Sequence, residues 1–403
     1  GGFLGVDIFF VISGYLITSI IQSDLQKYNS FSYFNFYQRR IRRLLPALTF
    51  VIISTLPLSY LFLGPNALIN YVKSIISSLF FFSNYFFYLS QIEYDAIKSW
   101  FIPFLHTWSL SVEEQFYFFF PILFVFFYKC SKKYNLFFIS ILALLSLSIS
   151  EITSKENLSL SFYSFHTRIW ELLAGSLISI MKYKNMFKIK NKQSLSILSF
   201  VILIFCIFSF SSSTTHPSFI TLIPVICTAL IIFLDDKNNI ITKVLSFKPF
   251  VYLGLISYSL YLWHYPIFAF ERIADLSNGI YYQIAIFIMI IFLSGLTYKY
   301  IEKPFRNKSF KFKNVVSILL LIFIFIFCYS YIVTYKEGKL NKANTFLEKI
   351  TNNPFYNEEC KFFTNNNNFL NDKKFNERIV NCNKKYKKFV EILGDSHSVD
   401  LFN

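Results

Sequence analysis

The sequence predicts an all-α polytopic membrane protein of about ten transmembrane helices, followed by the start of an α/β extracytoplasmic domain. Three observations lead there. Of 403 residues, 54% are hydrophobic and 21% aromatic, while 15% carry charge, against about 25% in an average soluble domain. The mean hydropathy is +0.47, more apolar surface than a soluble core of this length can hide, so lipid must be the solvent for most of the chain. Finally, the apolar residues fall in runs near spanning length separated by basic loops, and after Lys336 the composition turns Asn- and Lys-rich.

About 20 apolar residues cross a bilayer core. Eleven runs approach that length: 5–21, 44–63, 74–92, 108–128, 136–150, 168–181, 195–210, 219–234, 251–270, 280–300 and 315–335. The loops 39–43, 129–133, 182–192 and 299–313 are basic and are assigned to the cytoplasm, whereas 151–166, 211–217 and 271–279 carry few bases and are assigned outside. Three runs between two cytoplasmic loops break parity. The run 74–92 is therefore expected to be re-entrant or superficial, which leaves ten spans and takes the chain outside after Tyr335. The net charge of +16 is read as this loop charge, not as a nucleic-acid surface.

The domain division that follows is 1–310 for the membrane domain, 311–335 for an additional transmembrane helix, 336–387 for an extracytoplasmic linker and 388–403 for the start of an external domain. Lys388 to Leu393 reads as a strand, and Gly394-Asp395-Ser396-His397 as a turn into a helix. Of six cysteines, Cys130, Cys206, Cys227 and Cys328 lie in or near spans as packed thiols, while Cys360 and Cys382 share the external tail, where a disulfide is expected.

Charge at membrane depth is costly and points to function. Asp7, Glu113, Glu114, Arg168, Glu171, His264 and Glu302 all fall in or at the ends of apolar runs. Each has a plainer alternative: Arg168 and Glu171, at i, i+3, can be an ion pair that only fixes packing; His264 can belong to an aromatic belt; Glu302 can pair with Lys303 or Arg306. The cluster Arg39, Arg42 and Arg43 anchors topology at the least, and its guanidinium groups suit the phosphates of a nucleotide-like donor.

Six stretches in order resemble the membrane-bound acyltransferase family 3, which includes lipopolysaccharide and peptidoglycan O-acetylases. They are Gly5-Val6-Asp7-Ile8-Phe9-Phe10 with Ser13-Gly14; Arg39 with Arg42-Arg43-Leu44-Leu45-Pro46; Trp108-Ser109-Leu110 with Glu113 and Phe116-Tyr117; Arg168 with Glu171-Leu172-Leu173-Ala174-Gly175; Ser257-Tyr258 with Tyr261-Leu262-Trp263-His264 and Pro266; and Tyr300-Ile301-Glu302-Lys303-Pro304. A second resemblance, of Ile392-Leu393-Gly394-Asp395-Ser396-His397, is to the first block of SGNH-type hydrolases and transferases, in which the serine is the nucleophile.

The resemblance implies an O-acetyltransferase of the bacterial cytoplasmic membrane. It would move an acyl group from cytoplasmic acetyl-CoA to a hydroxyl of a cell-surface glycan: lipopolysaccharide, peptidoglycan or exopolysaccharide. It implies Ser396, Asp395, His264, Glu113 and Asp7 as catalytic residues, and Arg39, Arg42, Arg43, Arg168 and Glu171 as donor-binding residues, with no metal and no nucleic-acid partner. It also implies an earlier helix, before Gly1, carrying an Arg and a His, and SGNH partners beyond Asn403; the stretch taken alone is thus expected to be inactive. A multi-span transporter, or a sensor with an external domain, is the alternative.

Overall fold

A computed structural model describes residues 1–92, 99–131, 134–186, 189–211, 214–274, 279–307 and 309–340. Among them every regular element is a helix. In chain order these are α1 (Leu4–Tyr28), α2 (Tyr33–Phe62), α3 (Pro65–Leu79), α4 (Ser83–Ile92), α5 (Thr107–Cys130), α6 (Asn135–Glu156), α7 (Leu158–Tyr163), α8 (Phe165–Tyr183), α9 (Lys192–Ser209), α10 (Leu222–Phe233), α11 (Ile240–Leu245), α12 (Lys248–Ile273), α13 (Gly279–Thr297), α14 (Lys303–Arg306) and α15 (Phe312–Tyr335). The strand expected from Lys388, Cys360 and Cys382 all lie outside the described residues.

Among the described residues, seven helices are long and apolar enough to cross a membrane: α1, α2, α5, α6, α9, α15 and the continuous stretch Gly279–Arg306. This count differs from the expected ten. The helices α8 and α12, of 19 and 26 residues, are long enough but carry the embedded polar side chains, and α10 has 12 residues. Large side chains such as Phe119, Phe126, Ile288, Phe292, Leu321 and Ile324 stand exposed on the outside, the inverse of a soluble protein.

The run suspected of not spanning is broken. Helix α3 stops at Leu79, α4 starts at Ser83, and Phe81 between them adopts a left-handed φ of 56°. Side chains of α5 satisfy this irregular backbone. Gln115 Nε2 donates to the Phe81 carbonyl at 2.9 Å, the Ser83 N–H donates to Ser111 Oγ at 3.2 Å, and Ser78 meets Thr107 at 2.7 Å. Non-helical backbone at membrane depth is tolerated where protein supplies such partners. Another α5 device serves Pro121, which lacks the N–H that would bond the Tyr117 carbonyl. The Tyr37 hydroxyl lies 3.5 Å from that carbonyl and donates to Phe118 O at 3.0 Å.

Two large apolar cores hold the bundle, with a smaller one of Val11, Leu147, Trp170, Val225 and Ala229 where α1, α6, α8 and α10 meet. Residues of α1, α5 and α8, among them Phe10, Ile17, Phe116, Phe120 and Leu172, form one; residues of α2, α3, α12, α13 and α15, among them Val51, Ile75, Leu262, Ile290 and Ile326, form the other. At the α1–α8 contact the backbones nearly touch. A Cβ on Gly14 would lie 1.8 Å from Leu172 O, and one on Gly175 would lie 1.9 Å from Val11 O. Hydroxyls line the same seam: Ser176 Oγ donates to Leu172 O at 3.1 Å, and Ser179 Oγ to Gln22 Oε1 at 2.9 Å. Without a hydrophobic drive between helices in lipid, such small residues permit close dispersion contact.

Two of the three loops read as lying outside, 151–166 and 211–217, do meet at one end. Glu151 Oε2 accepts from Phe219 N at 2.8 Å, and His216 packs on Phe3 and Phe162. Helix α15 runs parallel to α2, with Phe312 against Phe34 and Tyr329 beside Ser59. Tyr335 therefore emerges at the end opposite to Arg39–Arg43, where Gly338 abuts Pro65.

Candidate active site

The first buried polar group unites α1, α8 and the loop before α10. Arg168 Nη1 lies 3.0 Å from each of Asp7 Oδ1, Glu171 Oε1 and His216 Nε2, while its Nε donates to Phe162 O at 3.1 Å. Asp7, Arg168 and Glu171 are 0% exposed. Trp108 and Phe162 flank the guanidinium, their ring centroids 5.3 and 4.9 Å from Cζ. The i, i+3 spacing on α8 puts Arg168 and Glu171 on one face, and the α1–α8 glycine contact brings Asp7 to it. One arginine thus faces two carboxylates. Burial, then the Arg168 charge, push the His216 imidazole down to about 2; it is neutral and accepts from Arg168. Asp7 Oδ2, Glu171 Oε2, Arg168 Nη2 and His216 Nδ1 lack hydrogen-bond partners.

A second group runs along one face of α5 and the turn before it, at 106, 109, 113 and 117. The Tyr261 hydroxyl bonds Ser109 Oγ at 2.8 Å and donates closely to the His106 carbonyl. Glu113 Oε1 accepts from Ser13 Oγ at 2.7 Å and, over a short contact, from the Tyr117 hydroxyl. The guanidinium of Arg40 sits 3.8 Å over the Tyr117 ring. Spacing of three, four and four residues holds a single helical stripe over about 16 Å at 1.5 Å per residue.

The third group surrounds His264 on α12. Its Nδ1 is 2.7 Å from the Tyr261 carbonyl, and the His106 ring is 5.3 Å away. A fourth lies where a π-turn, Tyr298–Glu302, ends α13 and turns Glu302 inward. Ser259 Oγ donates to Glu302 Oε2 at 3.1 Å, and Arg306 reaches Oε1 at 3.5 Å. Such π-turns recur at functional sites.

The basic cluster divides. Arg42 is buried and clamps the chain after α14: Nη1 donates to Phe305 O and Asn307 O at 3.2 and 3.1 Å, and Nη2 to Phe310 O at 2.7 Å. Its two terminal nitrogens are therefore engaged by carbonyls, while Nε has no hydrogen-bond partner. Arg39 is exposed beside Asp24 at 4.0 Å, and Arg43 is half-buried. We expect Arg42→Met to cost about 1–3 kcal/mol of stability by orphaning those carbonyls, read as a lowered unfolding midpoint in detergent. An unchanged midpoint would remove the clamp role.

Arg168 and Glu171 thus share a face, as their spacing implied, and Asp7, read from the sequence with Glu113 and His264, joins them, whereas Glu113 and His264 sit in neighbouring groups. Ser396 and Asp395 lie outside the described residues. Sequence reasoning missed His216, Arg40 and His106 as site residues. Each carried a signal: His106 and His216 are two of only five histidines in the chain, and Arg40 stands inside the basic cluster. Among the described residues no group of three or more His, Cys, Asp or Glu side chains could hold a metal.

Residues 1–299 match a protein family described as an acyltransferase domain. The O-acetyltransferase OatA of Staphylococcus aureus strain NCTC 8325 / PS 47 is 32% identical over 333 residues, covering 77% of this chain and 54% of the relative. A protein of strain COL named "Putative O-acetyltransferase SACOL0978" is 34% identical over 334 residues, covering 78% and 54%. The chain spans about half the length of these curated relatives, and no solved structure matches it. The family match covers most of the membrane bundle and the first three polar groups, with Glu302 and Arg306 of the fourth just beyond its end, and the chain belongs to the acyltransferase 3 family.

Proposed function

We propose that this chain is the membrane part of an O-acetyltransferase of the bacterial cytoplasmic membrane, which passes an acetyl group from cytoplasmic acetyl-CoA to a hydroxyl of a cell-surface glycan. The observation that carries this reading is the buried polar stripe on α5. It runs from Arg40, beside the basic cluster, through Tyr117, Glu113 and Ser109 to His106, with Arg168 and its carboxylates next along. Buried ionisable groups in a bundle otherwise faced with lipid mark a path for a polar reaction. Spans by α8, α10 and α12 would raise seven crossings to ten, and the positive-inside rule puts Arg39–Arg43 in the cytoplasm and Tyr335 outside. The domain division at 310, 335 and 387 belongs to this reading.

Acetyl-CoA supplies an activated thioester. Arg39 and Arg43 would hold its phosphates bidentately. Glu113, held by Ser13 and Tyr117, orients groups along the stripe; His264 accepts a proton through Nε2. Ser396, in the external domain with Asp395 beside it, receives the acyl group and delivers it to the sugar hydroxyl. Membranes containing the full-length protein, given labelled acetyl-CoA, should transfer label to glycan, and Ser396→Ala should reduce that transfer by at least about 10²-fold while the membrane domain stays folded. A transporter or sensor transfers no label, and undiminished transfer by Ser396→Ala removes the serine from the pathway.

A further inference from the structure

His106 lies in the turn before α5 and is 6% exposed, yet neither of its ring nitrogens has a hydrogen-bond partner. A buried polar atom left without a partner is destabilising, because its lost hydration is not replaced. Nor does packing call for an imidazole. The ring stacks on Tyr265 at 5.4 Å and 19°, and on Phe104 at 6.2 Å and 26°; it meets Tyr261 at 4.9 Å and His264 at 5.3 Å. A phenylalanine would fill that aromatic box without the polar cost. The unpaired nitrogens therefore ask for an occupant or a task.

His264 indicates the task. The carbonyl of Tyr261, 2.7 Å from Nδ1, can only accept. Nδ1 therefore carries the proton, and Nε2 holds the lone pair. A fixed base thus stands edge-on against an unpaired imidazole. The titratable groups facing His106 among the described residues are His264, Tyr261 and Tyr265, all of α12, with Tyr71 of α3 behind Phe104.

We propose that His106 is the proton partner of His264 in acyl transfer, a positioning residue that acts through His264; this rests on the O-acetyltransferase reading and deepens it. In the overall transfer the thioester C–S bond breaks, a C–O ester bond forms, and the hydroxyl proton ends on the departing sulfur. Nε2 of His264 takes that proton, and His106 relays it by ring rotation or through one water. The thiolate then recovers it, and both imidazoles return to the neutral form. Aromatic faces around His106 stabilise the transient cation.

The test uses the full-length protein with labelled acetyl-CoA and His106→Phe. Transfer is expected to fall by about 10²-fold in kcat, with KM for acetyl-CoA within about threefold. The unfolding midpoint should be equal or higher, since two unpaired nitrogens are gone. In wild type both imidazoles must be neutral, so log(kcat/KM) should fall on acidification with a slope approaching two; the residual activity of His106→Phe should fall with a slope of one. His106→Gln is the second variant and should also lose transfer. Wild-type rate and an unchanged pH slope in His106→Phe would overturn the proposal while leaving the O-acetyltransferase reading intact. Absence of transfer by wild type would overturn that reading itself.

Discussion

Arg168→Met is expected to be the most damaging single substitution in the bundle. It strips the only cation from a cluster in which Asp7 and Glu171 are wholly buried, each 3.0 Å from the same Nη1. Removing one partner of a buried ion pair costs about 3–5 kcal/mol, because the partner charge stays behind without compensation. Here two carboxylates stay behind. The variant should fail to yield monodisperse protein in detergent, or unfold far below wild type. The triple variant Asp7→Asn, Arg168→Met, Glu171→Gln should recover much of the loss, since it leaves no uncompensated charge. A single variant with wild-type unfolding behaviour would show that the cluster does not hold α1 to α8. Recovery of folding without recovery of transfer would assign these charges to the reaction.

Gly14→Val and Gly175→Val are expected to follow closely. A Cβ at either site meets backbone atoms, Leu172 O at 1.8 Å or Val11 O at 1.9 Å, and backbone cannot rotate away as a side chain can. Overpacking typically costs about 1–3 kcal/mol and more where the neighbours are rigid. The helices must part, and the hydrogen bonds across the seam, from Ser176 to Gly14 O and from Ser179 to Gln22, must open with them. Gly5→Ala and Gly254→Ala are the controls, because a Cβ there meets nothing within 4 Å. The fraction of monodisperse protein on size exclusion should collapse for the first pair and hold for the second. Equal behaviour of the two pairs would contradict the close contact of α1 and α8.

What the sequence conveyed follows from range. Hydropathy located the long helices, and the i, i+3 pair of Arg168 and Glu171 could be read from spacing alone, since both lie on α8. Asp7 stood out because charge in an apolar run is costly. His216 did not, because its partner is 48 residues away across a loop, and no local pattern announces such a contact. Arg40 was hidden among its basic neighbours, which differ only in where the helix face turns them: Arg42 toward the carbonyls after α14, Arg40 over Tyr117. The count of ten spans treated every apolar run alike, whereas α8 and α12 spend hydrophobicity on embedded polar side chains and the run 74–92 is cut at Phe81. The seam glycines were legible as motif residues, though their role as contact points was not.

The turn at Phe81 has one more consequence, for biogenesis. Its hydrogen-bond partners, Thr107, Ser111 and Gln115, are made later than the turn itself. A ribosome adding about 5–20 residues per second needs roughly 1–7 s to reach them. During that interval the nascent hairpin carries exposed amides and hydroxyls with no lipid substitute, so it must linger in a wet, sheltered place such as the insertion machinery until the fifth helix arrives to receive it.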